Sequence, residues 1–400
     1  MKKIVIVTGI LCCMVMIGVY YAAPNQKEEY LLAQNMEGSI SKEVSDRVKE
    51  ECMEVAGIYK ETYLNSDKQP SDIVQADKQI SEEAVSEIVK KIGKKGITVS
   101  DTAGRCSLEN TEAFSSFWEK IQKGESASVA IYRIRQNGGF YRYEFYMDRT
   151  GKYLLSASVN LDLEGNPDVY EMKITPLAEW RLTEKENFIF RDDYTVWASG
   201  NGYRMIRVKP VDENCLSYQK KYVEPINYGG NNLMISNWSE KDYSKLSFND
   251  LFENLYNLKE GKRLENDQFP IDPSNENRYI PADLFENVIQ SYFSITKEEL
   301  RKTAMFEQKK DAYPWQEIRS NNNCVAMPYM DPDVTAVKKN TDGTVTLSID
   351  VVCLENSNDR AFTHELTLRE LGGGKVQYVS NAIIPDEHNV MPNYVYRLQQ

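Results

Sequence analysis

The sequence predicts an α+β protein: an N-terminal membrane helix, then two α+β domains, each with helices followed by an antiparallel meander sheet. Three observations lead to this fold class. An uncharged run opens the chain. After it, helical spacing of apolar residues gives way twice to a period of two. Turn residues separate the alternating runs at short intervals, as in a meander. The predicted divisions are 1–26, 27–225 and 226–400.

The uncharged run extends from Ile4 to Ala23, behind Lys2 and Lys3. As a helix it would span roughly 30 Å, the thickness of a bilayer core. A cleaved signal peptide is an alternative, but tyrosines occupy the −3 position of the available cleavage sites. A lipoprotein is another alternative, but the lipidated Cys12 would need a small residue directly before it, and the sequence does not have one there. We therefore expect a single-pass protein of the cell membrane, with the bulk of the chain extracytoplasmic by the positive-inside rule.

Three helices are predicted at the start of the first domain. Residues 27–65 have apolar side chains at steps of three or four, a stripe typical of a helix that packs on its own domain; a stalk or a partner-binding helix is the alternative. The stripe consists of Ile40, Val44, Val48, Cys52, Val55, Tyr59 and Tyr63. A second helix is expected near Ser81–Lys91, with Ser81 as its N-cap. The third covers Glu109–Lys123.

After Gly124 the period of two predicts a run of hairpin strands. Asn137-Gly-Gly139 is typical of the tight turn between the first two strands. The expected strands are 129–134, 140–146, 153–161, 169–174, 178–190, 194–199 and 203–209. Residues 210–235 then carry turn residues and little periodicity, so the domain boundary is placed in this region.

The second domain repeats the order of helices before strands. Helices are expected over Phe248–Leu258 and Pro281–Phe293, and Thr296 is expected to cap a third over Lys297–Phe306. The expected strands are 333–339, 344–354, 361–371 and 375–383. Their turns, at Asp342-Gly343 and Gly372–Gly374, suit hairpins.

Composition narrows the classes of function. The chain has 48 basic and 60 acidic residues, a net charge of −12, and no basic stripe, so nucleic acid is not an expected partner. The sequence lacks a glycine-rich phosphate loop after a strand, a GxSxG motif and an HExxH motif, and no cofactor is expected. The 25 tyrosines and 5 tryptophans suit recognition surfaces. We expect a non-catalytic binding module of the cell envelope with a protein or peptide partner.

The alternative is a hydrolase or a small-ligand enzyme with a pocket in the C-terminal sheet, and its candidate residue is His364. Alternation places His364 on the same strand face as Phe362, Leu366 and Leu368. A histidine among apolar neighbours in a curved sheet serves either as a pocket base or as a hydrogen-bonded core residue. Both interpretations remain open at the level of the sequence.

One further pattern, rich in acidic residues, suggests a candidate metal site. Asn160-x-Asp162-x-Glu164-Gly165-x5-Glu171 has the spacing of a calcium-binding loop, which makes Asp162, Glu164 and Glu171 candidate metal ligands. Strands flank this segment, so a hairpin turn with acidic side chains is the simpler interpretation, and no metal is expected.

The cysteines outside the membrane segment carry no CxxC motif. Cys324 and Cys353 fall in one predicted domain and are the first candidates for a disulfide. Scattered buried thiols are the alternative.

The order FSSFWEKI, YRYEFYMDRTGKYLL and PADLFENVIQSYFSITKEELRK resembles an uncharacterised family of exported or membrane-anchored proteins of Gram-positive anaerobic bacteria. The resemblance covers most of the chain after the N-terminal segment. It implies a location and a two-part architecture, but no activity, because that family is a domain of unknown function. The closing half also looks like the cone-shaped fold of the nuclear-transport-factor-like superfamily in its order of elements. That superfamily includes both enzymes and binding modules.

Overall fold

The computed structural model describes residues 40–70, 78–192, 202–275, 277–318 and 330–398. It divides the chain into two compact units, Met1–Pro210 and Val211–Gln400. The boundary predicted from the sequence, between residues 225 and 226, lies further along the chain. Each unit contains helices and an extensive sheet, so the chain is a mixed α/β protein.

The predicted membrane helix, and the single-pass location at the cell membrane that depended on it, require correction. Within the described ranges, no helix is long and apolar enough to cross a membrane. The longest, α1 (Lys42–Asn65), buries one apolar stripe and exposes charged residues on its other side, as expected for a helix that packs on a protein core. The segment 1–26 itself lies outside the described residues.

The helices of the first unit begin at side-chain caps. The Ser41 hydroxyl accepts a hydrogen bond from the Val44 amide at the start of α1. Ser81, the predicted N-cap, accepts one from Ala84 at the start of α2 (Glu82–Gly93). The third helix, α3, spans Thr111–Gln122. The predicted apolar stripe of α1 is confirmed from Val44 to Tyr63, where its residues join the core of the unit.

A seven-stranded sheet forms the rest of the first unit. Its strands lie in sequence order, with the first two parallel and all other neighbours antiparallel. They are β3 (Val99–Asp101), β4 (Ala127–Ile134), β5 (Phe140–Met147), β6 (Lys152–Leu161), β7 (Pro167–Leu182), β8 (Asn187–Asp192) and β9 (Tyr203–Arg207). A separate two-stranded sheet pairs β1 (Lys68–Pro70) with β2 (Lys78–Ile80).

Two strand predictions in this sheet are wrong. The sequence predicts separate strands at 169–174 and 178–190, but β7 is continuous from Pro167 to Leu182, and a turn at 183–186 then separates it from β8. Its register against β8 shifts between Leu177 and Glu179, which is a bulge within the continuous strand. The strand predicted at 194–199 lies outside the described residues.

The sheet of the first unit has a core on each face. On one face α1 and α2 pack against residues such as Phe140 and Leu155. On the other face α3 and the last strands enclose an aromatic cluster around Phe145. In that cluster the Phe145 ring lies 5.0 Å from Phe188 and 4.8 Å from Phe190, both edge-on. Because β8 therefore packs over β5, the sheet curls upon itself.

Arg133 on β4 joins the two ends of this curled sheet. Its side chain is 8% exposed, and its Nε donates to the Asp101 carbonyl of β3 at 2.8 Å. Its Nη1 donates to the Met205 carbonyl of β9 at 3.3 Å, and its Nη2 donates to the Thr102 carbonyl at the same distance. Burial lowers the pKa of this guanidinium. The three carbonyl contacts offset the cost of removing its charge from water.

The second unit contains four helices and a five-stranded antiparallel sheet among its described residues. The helices are α4 (Glu213–Tyr218), which continues into a π-helical turn (Gln219–Val223), α5 (Phe248–Glu260), α6 (Ala282–Tyr292) and α7 (Lys297–Thr303). The sheet has the order β10-β16-β15-β14-β13, formed by β10 (Trp238–Ser239), β13 (Asp331–Lys339), β14 (Thr344–Cys353), β15 (Asn358–Gly372) and β16 (Lys375–Ile383). A further pair joins β11 (Arg278–Pro281) to β12 (Ala312–Trp315).

The elements predicted for this unit are confirmed in type. Thr296 caps α7 by accepting a hydrogen bond from the Glu299 amide. The strand predicted at 375–383 has the bounds of β16, and the turn at Gly373-Gly374 joins it to β15. Apolar residues of α5, α6 and the sheet share one continuous core.

Replacing Arg133 by methionine tests the closure of the first sheet. The variant Arg133→Met keeps most of the side-chain volume but removes the donors to three carbonyl groups. We expect the free energy of unfolding to fall by about 2 kcal/mol in urea titrations, because those carbonyls lose their partners. Amide hydrogen exchange in β9 should also accelerate, since the strand loses its tie to the opposite edge.

The matched control is Arg149→Met, at an exposed turn position between β5 and β6. Its free energy of unfolding should change by less than about 0.5 kcal/mol. Equal stability and equal β9 exchange in the two variants would show that Arg133 does not hold the sheet closed.

Candidate functional site

His364 lies in the interior of the second sheet and is 0% exposed. Its Nδ1 is 2.6 Å from Oδ1 of Asn381, and its Nε2 is 2.8 Å from the hydroxyl of Tyr228. Asn381 donates through Nδ2 to the Ser236 carbonyl, so its amide oxygen is the atom that faces the imidazole. Nδ1 therefore carries the hydrogen, and Nε2 accepts from the Tyr228 hydroxyl.

This network makes His364 a neutral residue of the core. Burial lowers the pKa of its imidazole to about 4. Both ring nitrogens already have partners, and the Tyr228 ring lies edge-on at 5.8 Å. A substrate or a water molecule would have to displace these groups to reach the imidazole.

The candidate calcium ligands belong to a hairpin turn. Oδ1 of Asp162 accepts hydrogen bonds from the amides of Glu164 and Asn166, at 2.9 and 2.8 Å. Glu171 lies within β7, opposite Ser158 of β6, whose hydroxyl is 3.4 Å from its Oε2. Across the described residues, no group of three or more His, Cys, Asp or Glu side chains is placed to hold a metal ion.

The candidate disulfide is only half described. Cys353 ends β14 and is fully buried, and burial raises the pKa of its thiol. Cys324 lies outside the described residues, so the pairing stays a prediction.

The second unit also contains a cleft of about 550 Å³ that the sequence did not indicate. The β15–β16 turn and the first residues of β16 form one side of it. The ends of α5 and α6 and the π-helical turn form the other. Its volume is in the range typical of ligand pockets.

Three lysines, Lys221, Lys259 and Lys375, line the cleft, and its described lining holds no aspartate or glutamate. The Lys221 ammonium lies 5.1 Å from the centre of the Tyr222 ring. Lys259 hydrogen-bonds Asn287 and lies 3.8 Å from a Glu260 carboxylate oxygen. Among the described residues, neither Lys221 nor Lys375 forms an ion pair. The lining therefore carries an excess of positive charge on a chain with a net charge of −12, supplied by Lys221 and Lys375, while the Glu260 carboxylate lies close to Lys259 and Tyr292.

The apolar part of the cleft packs against the aromatic core of the unit. Tyr222 is 6% exposed, and its carbonyl accepts a 2.8 Å hydrogen bond from the Tyr378 hydroxyl. The rings of Tyr292 and Tyr378 lie 6.3 Å apart. Tyr222, Tyr292 and Leu258 thus supply apolar surface beside the lysines.

Glycine is required at the rim of the cleft, where β15 turns into β16. Gly373 and Gly374 have φ values of +59° and +79°, as in a two-residue hairpin turn. A Cβ on Gly374 would approach Lys221 Nζ to 3.6 Å, so the turn passes close to the ammonium group. The sequence predicts this turn, but not the lysine from the π-helical turn that approaches it.

Residues 45–397 match the profile of a family of unknown function, DUF6070. The chain belongs to this family. No curated protein and no solved structure matches it. The sequence resemblance to an uncharacterised family is therefore confirmed, while its membrane anchoring, its bacterial origin and the similarity to the nuclear-transport-factor-like fold are not shown.

The neutral state of His364 predicts a pH dependence of stability. Its folded pKa of about 4 lies below the ordinary histidine value of 6.5, so only the unfolded chain gains a proton between these values. The stability that the protein gains by keeping His364 neutral is fully present above pH 6.5. It is lost as the pH falls towards 4, and the free energy of unfolding decreases by about 3 kcal/mol in total. The variant His364→Gln should lack this component in urea titrations between pH 7 and pH 4.

Other groups also titrate over this range, so the comparison needs a control. His388→Gln changes an exposed histidine of the C-terminal tail and should keep the pH profile of the parent. If His364→Gln also keeps that profile, the buried imidazole is not the group responsible.

Proposed function

We propose that this chain is a non-catalytic binding module whose cleft in the second unit recognises an anionic partner. The observation that carries the proposal is the charge of the cleft: three lysines and no carboxylate in its described lining, on an acidic chain. A positive cleft on a negative surface attracts anionic groups selectively, because the surrounding field repels them elsewhere.

The apolar surfaces beside the lysines favour a partner that has apolar groups as well as negative charge. Tyr222, Leu258 and Tyr292 provide apolar area next to the ammonium groups. Such a combination suits a molecule that carries carboxylate or phosphate groups on a partly apolar frame. The aromatic packing against Tyr378 keeps this wall in place before binding, which reduces the entropy lost on association.

A hydrolase centred on His364 is less well supported. A general base must come within hydrogen-bond reach of its substrate or a water molecule. The His364 imidazole is 0% exposed, and Tyr228 and Asn381 occupy both of its nitrogens. No feature of the described residues favours this alternative over binding.

Hexaglutamate, a flexible peptide with six side-chain carboxylates, is a suitable probe of the cleft. We expect it to bind the full chain in isothermal titration calorimetry at low salt, and to bind more weakly as salt screens the lysines. The double variant Lys221→Glu/Lys375→Glu should lose at least about tenfold in affinity, because two attractive charges become repulsive.

The double variant Lys302→Glu/Lys309→Glu is the matched control. It makes the same change in net charge at exposed positions of the second unit that do not line the cleft. Equal losses of affinity in the two double variants would show that net charge, and not the cleft, governs binding, and the proposal would be wrong.

A further inference from the structure

We propose that the anionic partner is an acidic peptide in extended conformation, which adds to the sheet of the second unit along the open edge of β16. This inference rests on the proposed function and specifies its ligand class. It follows from where the cleft lies: Lys375, Val376 and Gln377, the first residues of β16, form part of its lining.

The edge of β16 is covered over only part of its length. The short strand β10 pairs with it at Ser380 and Asn381, and the Glu240 amide then donates to the Val379 carbonyl at 2.8 Å. From Lys375 to Tyr378, β15 is the only strand paired with β16 in the described part of the chain. An open strand edge presents backbone donors and acceptors that an extended peptide can pair with.

Along this part of β16, exposed and buried side chains alternate. This alternation determines the order of residues in a peptide that would fit beside it. Lys375 and Gln377 lie on the more exposed face, whereas Val376 and Tyr378 are buried in the core. An added strand would alternate likewise, since successive side chains point to opposite faces. Acidic side chains would face Lys375 and apolar ones would face the cleft wall at Tyr292. The predicted ligand therefore alternates acidic and apolar residues.

The other edge of the sheet, β13, is protected against such pairing. Its Val334 amide donates to the side-chain oxygen of Gln219 at 3.0 Å. An edge amide that already has a side-chain partner is not available to an added strand. By contrast, the start of β16 opens into a cleft.

Backbone methylation of a peptide probe tests this inference. The probe is the hexapeptide (Glu-Val)3, titrated into the full chain by calorimetry. In a strand the N–H groups of alternate residues point to the same side. We therefore expect N-methylation of either all glutamates or all valines to weaken binding at least about tenfold, while the other pattern has little effect. Amide hydrogen exchange should slow at Lys375–Tyr378 when the parent peptide binds.

The remaining outcomes separate this inference from the proposed function. If both methylated peptides bind as well as the parent, or if protection appears along β13 instead, strand addition at β16 is wrong and recognition of an anion by the cleft still stands. The same holds if hexaglutamate binds but (Glu-Val)3 does not. If neither peptide binds, the proposed function fails as well.

Discussion

Both units depend on the same constraint: a curved sheet that encloses polar side chains must provide each of them with a hydrogen-bond partner. In the first unit Arg133 meets the carbonyls of both sheet edges, and Arg142, 1% exposed, bonds Glu51 and Glu144. In the second unit His364 lies between Tyr228 and Asn381. Removing any one partner would leave a buried polar group unpaired, which costs more than the net value of the bond itself.

Because of this constraint, a residue of a type that often serves in catalysis or metal binding is not necessarily free to contact a ligand. His364 is the only histidine within a predicted strand, yet the core takes up both of its nitrogens. The carboxylate of Asp162 is engaged by the amides of its own turn. In contrast, Lys221 and Lys375 make no ion pair among the described residues and line a cleft. The cleft therefore offers the best-supported site for recognition, and the open start of β16 suggests how a peptide would be held.

Local patterns in the sequence predicted most elements because their causes are local. The stripe of α1, the caps at Ser81 and Thr296 and the turn at Gly373-Gly374 each depend on residues within a few positions of one another. The errors arose where distant contacts decide the outcome. β7 runs through the gap predicted at 175–177 because β6 and then β8 pair along its length. β3 was not predicted because three residues are too few to show a periodic pattern in the sequence. They form a strand because they pair in parallel with β4.

The sequence by itself determined the alternation of helices and hairpins, the acidic charge, the buried faces of most elements and membership of a family of unknown function. Only the tertiary structure decided which groups meet. Arg133 reaches Met205, and Lys221, Lys259 and Lys375 come together from an irregular turn, a helix end and a strand start far apart in the chain. Periodicity reports which face of an element is buried, but not which element packs against it. Closure of the first sheet and assembly of the cleft therefore depend on long-range packing.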